Sequence, residues 1–163
     1  MLCTVLAGLL LQLGACASFI PYDIRAGETT REQVIASSGQ PARVWQNADG
    51  SETLEYPMQP FGTECYMITI AADGRVRTVE DGLSERSRAR VRPGLGKEAV
   101  LRMLGSPRKV AYFARMEEEV MDWNVRNPGH QSGLRFNVHF NAAGEVVRTS
   151  ETIYDLGPER FSR

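Results

Sequence analysis

Few side chains in this sequence are of a type, and at a spacing, that could do chemistry. Cys16 is the first candidate. It follows Leu13-Gly14-Ala15 at the end of an apolar run. Small residues before it leave the thiol accessible, and a thiol is a nucleophile able to take up a covalent group. Cys65 is a lone thiol, either shielded by the rest of the chain or a partner, or a small residue tolerated on a sheet. Of the two histidines, His130 lies in the loop 127–133 and His139 on the polar side of an alternating stretch. Either could act as a general base, but no paired nucleophile is in view, so both are read as solvated. The carboxylates Glu117, Glu118 and Glu119 adjoin one another and are read as facing water. No Cys-x-x-Cys or His-x-x-x-His spacing occurs, so no metal site is expected. No nucleophile elbow, Walker-type loop or dinucleotide fingerprint follows a strand. The chain is expected not to be an enzyme, and to use no cofactor and no small-molecule substrate.

The stretch before Cys16 sets its meaning. Residues 1–15 carry no charge, and the first charged residue is Asp23. Residues 5–13 have the length of a secretory apolar core, and Leu13-Gly14-Ala15-Cys16 resembles the lipobox of bacterial lipoproteins. That resemblance implies a signal peptide over 1–15, acyl chains on Cys16 and a short tether over 16–23. Several chains on one residue exceed the one-chain limit of marginal anchoring. No Lys or Arg precedes the apolar run, a departure from a signal peptide's basic start. An uncleaved membrane span over residues 1–20 or a buried core segment are the alternatives. Ala17, where an inner-membrane retention signal would have Asp, implies the outer membrane in enteric-type bacteria, facing the periplasm.

The elements behind these residues are set by a repetition. Glu32, Val34, Ile35, Gly39 and Pro41 match Glu98, Val100, Leu101, Gly105 and Pro107, each 66 positions on. The stretch 68–76 is echoed by 138–146, 70 positions on. Two matches in the same order at nearly one offset point to a unit used twice. In the first copy Thr29-Thr30-Arg31-Glu32 reads as a capping box, with Val34, Ile35 and Ser38 on one face. Gly39 ends that helix and Pro41 prevents its resumption. The second copy has Val100, Leu101 and Leu104 as its apolar face and Gly96 as a weaker cap. Strands are expected over 43–46 and 52–56, joined through Asp49-Gly50, and over 109–113 and 119–123. Leu134, Phe136, Val138 and Phe140 alternate with Arg135, Asn137 and His139 as a half-buried strand. Tyr66, Ile68 and Ile70 point inward in the first copy, with Cys65, Met67 and Thr69 opposite. Turns at 72–74 and 142–144 lead into last strands near Val76 and Val146.

The expected fold class is α+β: two tandem repeats, each a short helix on an antiparallel sheet of about four strands. The repeats span 24–82 and 91–156. A solvated linker or edge strand over 83–90, carrying Arg86, Arg88 and Arg90, joins them, and 157–163 is a tail. With 163 residues, 42% hydrophobic, 24% charged and net charge −1, the chain reads as an ordinary folded protein with no field to draw in nucleic acid. The aromatics Trp45, Tyr56, Phe61, Tyr112, Phe113 and Trp123 are read mainly as core.

The repeated pattern of helix, Gly-x-Pro, strands and a Gly-x-Val turn, behind a lipobox, resembles the SmpA/OmlA (BamE-like) lipoprotein family over 24–80 and 91–150. A tandem pair of such units also resembles the β-lactamase inhibitor protein fold. Two copies stand here where the BamE-type subunit has one. The resemblance implies a lipid-anchored protein of the outer membrane that faces the periplasm and acts as a non-enzymatic binding or scaffold module. Its implied partner is another envelope protein, with the barrel-assembly machinery as the specific expectation. The alternative is an inhibitor or regulator of a periplasmic enzyme that binds through a concave sheet surface. The expected partner-binding face comprises Cys65, Met67, Thr69, Arg135, Asn137 and His139, whose soft and polar side chains fall at matched positions of the two copies.

Overall fold

In the computed structural model, residues 23–129 and 131–155 are described. Cys16, the signal segment and His130 lie outside them. The elements run α1 (Arg31–Ser38), β1 (Arg43–Gln46), β2 (Glu52–Pro57), β3 (Cys65–Ile70), β4 (Val76–Asp81), α2 (Glu85–Arg88), α3 (Lys97–Leu104), β5 (Lys109–Phe113), β6 (Glu118–Val125), β7 (Gly133–Phe140) and β8 (Val146–Tyr154). They form two separate four-stranded antiparallel meanders, β1-β2-β3-β4 and β5-β6-β7-β8. The class is α+β with two sheet units. Among the described residues no helix is long and apolar enough to cross a membrane.

The two units repeat each other in detail. Both helices end at a glycine of positive φ, Gly39 at 79° and Gly105 at 75°, where a side chain would be strained. The carbonyls of those glycines take equivalent donors: Tyr56 Oη–H to Gly39 O (2.9 Å) and Trp123 Nε1–H to Gly105 O (3.1 Å). These two aromatics are buried, so their polar tips need a partner, and the helix end supplies it. Each helix begins with a cation paired to its own sheet, Arg31 with Glu52 and Lys97 with Glu119. Each is also tied to the last turn of its sheet, through Arg31 N–H to Gly74 O (3.0 Å) and Lys97 N–H to Gly144 O (3.1 Å). Both third strands shift register just before their ends, at Thr69/Ile70 and His139/Phe140.

Local details differ from the sequence reading in two places. The capping box closes between Thr30 and Gln33, with Gln33 Oε1 accepting from Thr30 N–H (2.8 Å). Thr29 instead accepts from Arg25 N–H (2.9 Å), so Glu32 takes no part in the box. The stretch 83–90 is not a solvated linker. It folds into the one-turn helix α2, while Leu83 and Val91 enter the core on either side of buried Ser87. Of the three only Ser87 lies in α2, with Leu83 before it and Val91 after it. Arg88 lies over the Phe136 ring and pairs with Glu151 (2.8 Å), which binds this segment to the second sheet.

The layers are stacked. Val34 of α1 packs with Leu54, Tyr56, Ile68 and Ile70 on one face of the first sheet. Val100 and Leu104 of α3 pack with Met121, Trp123, Phe136, Val138 and Phe140 of the second sheet, and the same core takes in Cys65 and Met67. Those two residues alternate with Ile68 along β3, so they stand on the other face of the first sheet. Helix α3 is therefore held between the sheets. The order is α1, first sheet, α3, second sheet.

Candidate functional site

The expected partner-binding residues divide between two environments. Cys65 and Met67 are buried where the first sheet meets the end of α3. Thr69, half-buried, lines with Met67 a cavity of about 130 Å3 that Glu80, Arg90 and Arg102 help close. Arg135, Asn137 and His139 lie on the far face of the second sheet, one layer away. The six do not form one concave surface, because α3 fills the space in front of the first three. The expectation of a shared face is corrected accordingly.

At the seam, Glu55 is 0% exposed. Its carboxylate accepts from Ser106 N–H (2.7 Å), Ser106 Oγ–H (2.5 Å) and Trp45 Nε1–H (3.0 Å). A buried carboxylate is tolerable only when so supplied. The donors from Ser106 come from the chain just past α3, so this acid joins the units. Trp45 is itself held between Arg43 and Arg102, each 4.7 Å from the ring centre. Burial pushes the Cys65 thiol far above its ordinary value, and the nearby Glu55 and Asp81 carboxylates add to the shift. The reactive thiolate form is disfavoured there, and the second unit covers the group. A second joint forms where Gln59 Nε2–H donates to Asn124 O (2.9 Å) and Asn124 N–H donates to Gln59 Oε1 (3.0 Å).

The outer face of the second sheet is a polar network. His139, read as solvated, is 7% exposed. Its Nδ1 lies 2.7 Å from Glu118 Oε2 and its Nε2 lies 2.9 Å from Ser150 Oγ. Arg148 donates to the same Glu118 oxygen (2.7 Å) and its Nη1 stands 3.2 Å from His139 Nε2. Burial alone would raise the Glu118 carboxyl, but hydrogen bonds from His139 and Arg148 outweigh it and hold the group below its usual range. Acid, imidazole and hydroxyl in that order are the parts of an acyl-transfer nucleophile. Here Arg148 also stands within hydrogen-bond distance of Nε2, and Asn137 Nδ2–H donates to Ser150 Oγ (3.2 Å), so imidazole and hydroxyl are both held within the network. Arg135 stacks on Tyr154, 4.1 Å from the ring centre, and Tyr154 Oη–H donates to Asn124 Oδ1 (3.0 Å). Asp122 takes Arg108 through both oxygens, at 2.5 and 2.8 Å. Among the described residues no group of three or more His, Cys, Asp or Glu side chains could hold a metal ion.

Exposed apolar side chains lie at both edges of this sheet, Val147 and Ile153 on β8 and a larger group at the β5 edge. Val110 is 49% exposed, Tyr112 67%, Phe113 47% and Met116 47%, on β5 and the turn into β6. Of the aromatics read as core, Tyr56 and Trp123 are buried, whereas Phe61, Tyr112 and Phe113 face solvent. Nothing in their local sequence distinguishes these groups; Tyr112 and Phe113 are exposed because β5 is an edge strand, and Phe61 because it lies in the loop between β2 and β3.

No protein-family model matches the chain, and no curated protein does. Among solved structures the chain is similar to a DUF4309-family protein from Bacillus subtilis at 14% identity and a TM-score of 0.31, covering 80% of this chain and 82% of that one. It is also similar to an extracellular protein containing an SCP domain from Bacillus anthracis, again at 14% identity and a TM-score of 0.31. That match covers 89% of this chain but spans 54% of the other. At such scores neither likeness bears on what this chain does.

Proposed function

We propose that the chain is a non-enzymatic binding or scaffold module of the bacterial envelope, built from two SmpA/OmlA-like units and anchored by lipid on Cys16. Barrel assembly at the outer membrane is its specific setting. The observation that carries the binding role is the gathering of Val110, Tyr112, Phe113 and Met116 on the edge strand β5 and its turn. Large apolar groups that a folded chain leaves together on an unpaired edge are contact residues for another polypeptide. Support for the repeated unit comes from the equivalent glycine caps, aromatic donors and cation–carboxylate pairs of the two halves. Support for the anchor is the sequence around Cys16 alone.

The test is cross-linking and capture of the full chain from bacterial membranes, with Tyr112→Asp/Phe113→Asp as the comparison. Recovery of barrel-assembly components by the wild type, lost in a folded double variant, is expected. Equal recovery by both overturns the role of the edge, and background recovery by both overturns the specific setting. Intact mass tests the anchor: a chain that begins at Cys16 with a diacylglyceryl addition is expected, and an unmodified chain retaining residues 1–15 excludes it.

A further inference from the structure

Resting on the reading of β5 as the contact edge, we propose that its occupant is β5 of a second copy, paired antiparallel about Ala111 to make one eight-stranded sheet across a two-fold axis.

Four strands lie at sheet edges: β1, β4, β5 and β8. Three of them carry features that discourage pairing. The β1 edge has the Trp45 ring closed over by Arg43 and Arg102. Arg77, Glu80 and Asp81 lie along β4, and Arg148 and Glu151 interrupt the exposed Val147 and Ile153 along β8. Charges on an edge oppose an incoming strand. Strand β5 has no proline, no register shift against β6 and no charge beyond Lys109. Its alternate backbone groups, turned away from β6, have no ladder partner among the described residues.

The sequence Lys109-Val-Ala-Tyr-Phe113 is complementary to itself. A two-fold axis perpendicular to the sheet keeps each face with its like, so paired positions must have the same parity. Only the register centred on Ala111 does this while pairing all five residues. Val110 then meets the copy's Tyr112 on the face shared with α3, and Tyr112 meets its Val110. That is an aromatic with a β-branched residue, a favourable cross-strand pair. On the other face Ala111 meets Ala111 closely, and Lys109 meets Phe113 of the copy. Lys109 makes no ion pair among the described residues. In the pairing it sits on an aromatic ring, with Glu118 next along the same row, since Phe113 is opposite Glu118. The two lysines stand about four residues apart along the ladder, roughly 14 Å, so like charges do not meet. Pairing confined to one short strand falls in the weak, small-interface class.

The test places one thiol on the axis. The full chain with Cys3→Ser, Cys16→Ser and Ala111→Cys retains only the buried Cys65 besides the new thiol. Mild oxidation of the folded protein is expected to give a disulfide dimer in high yield, because residues opposite each other on one face approach within bridging distance. Lys109→Cys in the same background should cross-link at least ten-fold less. Sedimentation of the wild type should show mass rising toward two chains between about 1 and 500 µM, the range of weak interfaces. Tyr112→Asp/Phe113→Asp should stay at one chain. Equal cross-linking at 109 and 111, or a wild type that stays monomeric, overturns the proposal. If that monomer still loses envelope partners on Tyr112→Asp/Phe113→Asp, the binding-module reading stands without the dimer. If capture is unchanged as well, both fall.

Discussion

Replacing Gly105 by alanine is the perturbation that reads the stacking of the two units directly. An added Cβ would fall 2.2 Å from Cys65 Sγ and 3.4 Å from both Cys65 Cβ and the Glu55 carboxyl carbon. The residue also has φ of 75° and ψ of −169°, a region open essentially to glycine, which costs any side chain about 1–3 kcal/mol. Overpacking a buried site adds roughly 1–3 kcal/mol. Gly39 is the internal control: its φ is 79° and nothing lies within 4 Å of its Cβ position. Gly39→Ala should therefore cost only the backbone term, and Gly105→Ala about 1–3 kcal/mol more. Cys65→Ala removes the atom at 2.2 Å. Alone it should cost on the order of 1 kcal/mol as a small cavity, yet it should recover most of the overpacking when combined with Gly105→Ala. Urea unfolding of the four chains gives the coupling energy as a double-mutant cycle. Equal midpoints for Gly39→Ala and Gly105→Ala, or a coupling near zero, would refute the contact between the end of α3 and β3, and the layered order with it.

Other consequences follow from single contacts. Ser106→Ala removes one of the two Ser106 donors to the buried Glu55 and should lower stability by about 1–3 kcal/mol by urea midpoint, as expected for a hydrogen bond to a charged acceptor. Tyr56→Phe deletes one buried bond to Gly39 O and should cost about 1 kcal/mol. Trp123→Phe loses the equivalent bond and also leaves a cavity, so it should cost about 2–4 kcal/mol in the same assay. The Glu118 carboxyl is held below its usual 4.5, so its contribution is complete above that value and disappears as pH falls through the lowered one. The stability difference between wild type and Glu118→Gln should shrink from about pH 6 toward pH 3; a difference that grows on acidification would contradict the network. Tyr112→Asp/Phe113→Asp, on exposed residues, should leave the thermal midpoint within the shift expected of roughly 0.5 kcal/mol per site, which keeps its binding phenotype interpretable.

The strands were legible because their pattern is local. Lys109–Phe113 and Arg43–Gln46 follow a Gly-x-Pro stop, and β7 alternates over its whole length. The stacking left a signal too, but a quieter one. Strand β3 reads Cys-Tyr-Met-Ile-Thr-Ile, nearly apolar on both faces, whereas β7 puts Arg135, Asn137 and His139 on one face. A strand covered on both sides loses its alternation, and one with a wet face keeps it. Expecting Cys65, Met67, Arg135 and His139 to share a surface ignored that contrast. The burial of Leu83, Ser87 and Val91 was masked by arginines at alternate positions. The burial of Glu55 had no local sign, since its hydroxyl donor Ser106 is 51 residues away. His139 was placed on the right face, but its enclosure needs Glu118, Arg148 and Ser150 from two neighbouring strands.

Equivalent positions in the two sheets are answered in different ways. Glu55 corresponds to Asp122, Cys65 to Arg135 and Met67 to Asn137. In the first sheet these positions receive the helix of the next unit: Glu55 takes Ser106, and Cys65 and Met67 enter the shared core. In the second sheet each is answered from within, Asp122 by Arg108, Arg135 by Tyr154 and Asn137 by Ser150 and Thr152. The outer face of the second sheet is polar and largely paired within its own unit, though Arg135 Nε is buried with no hydrogen-bond partner among the described residues. Among the described residues that face is engaged mainly by its own unit, and the apolar β5 edge lies beside it. The same argument makes Asp122→Ala diagnostic. It should free Arg108 and destabilise the fold by about 1–3 kcal/mol, as for breaking a partly buried charge-assisted pair, yet leave dimerisation through Ala111 intact. Loss of the 111–111 cross-link in a folded Asp122→Ala chain would mean that the outer face, not the edge, is the contact surface.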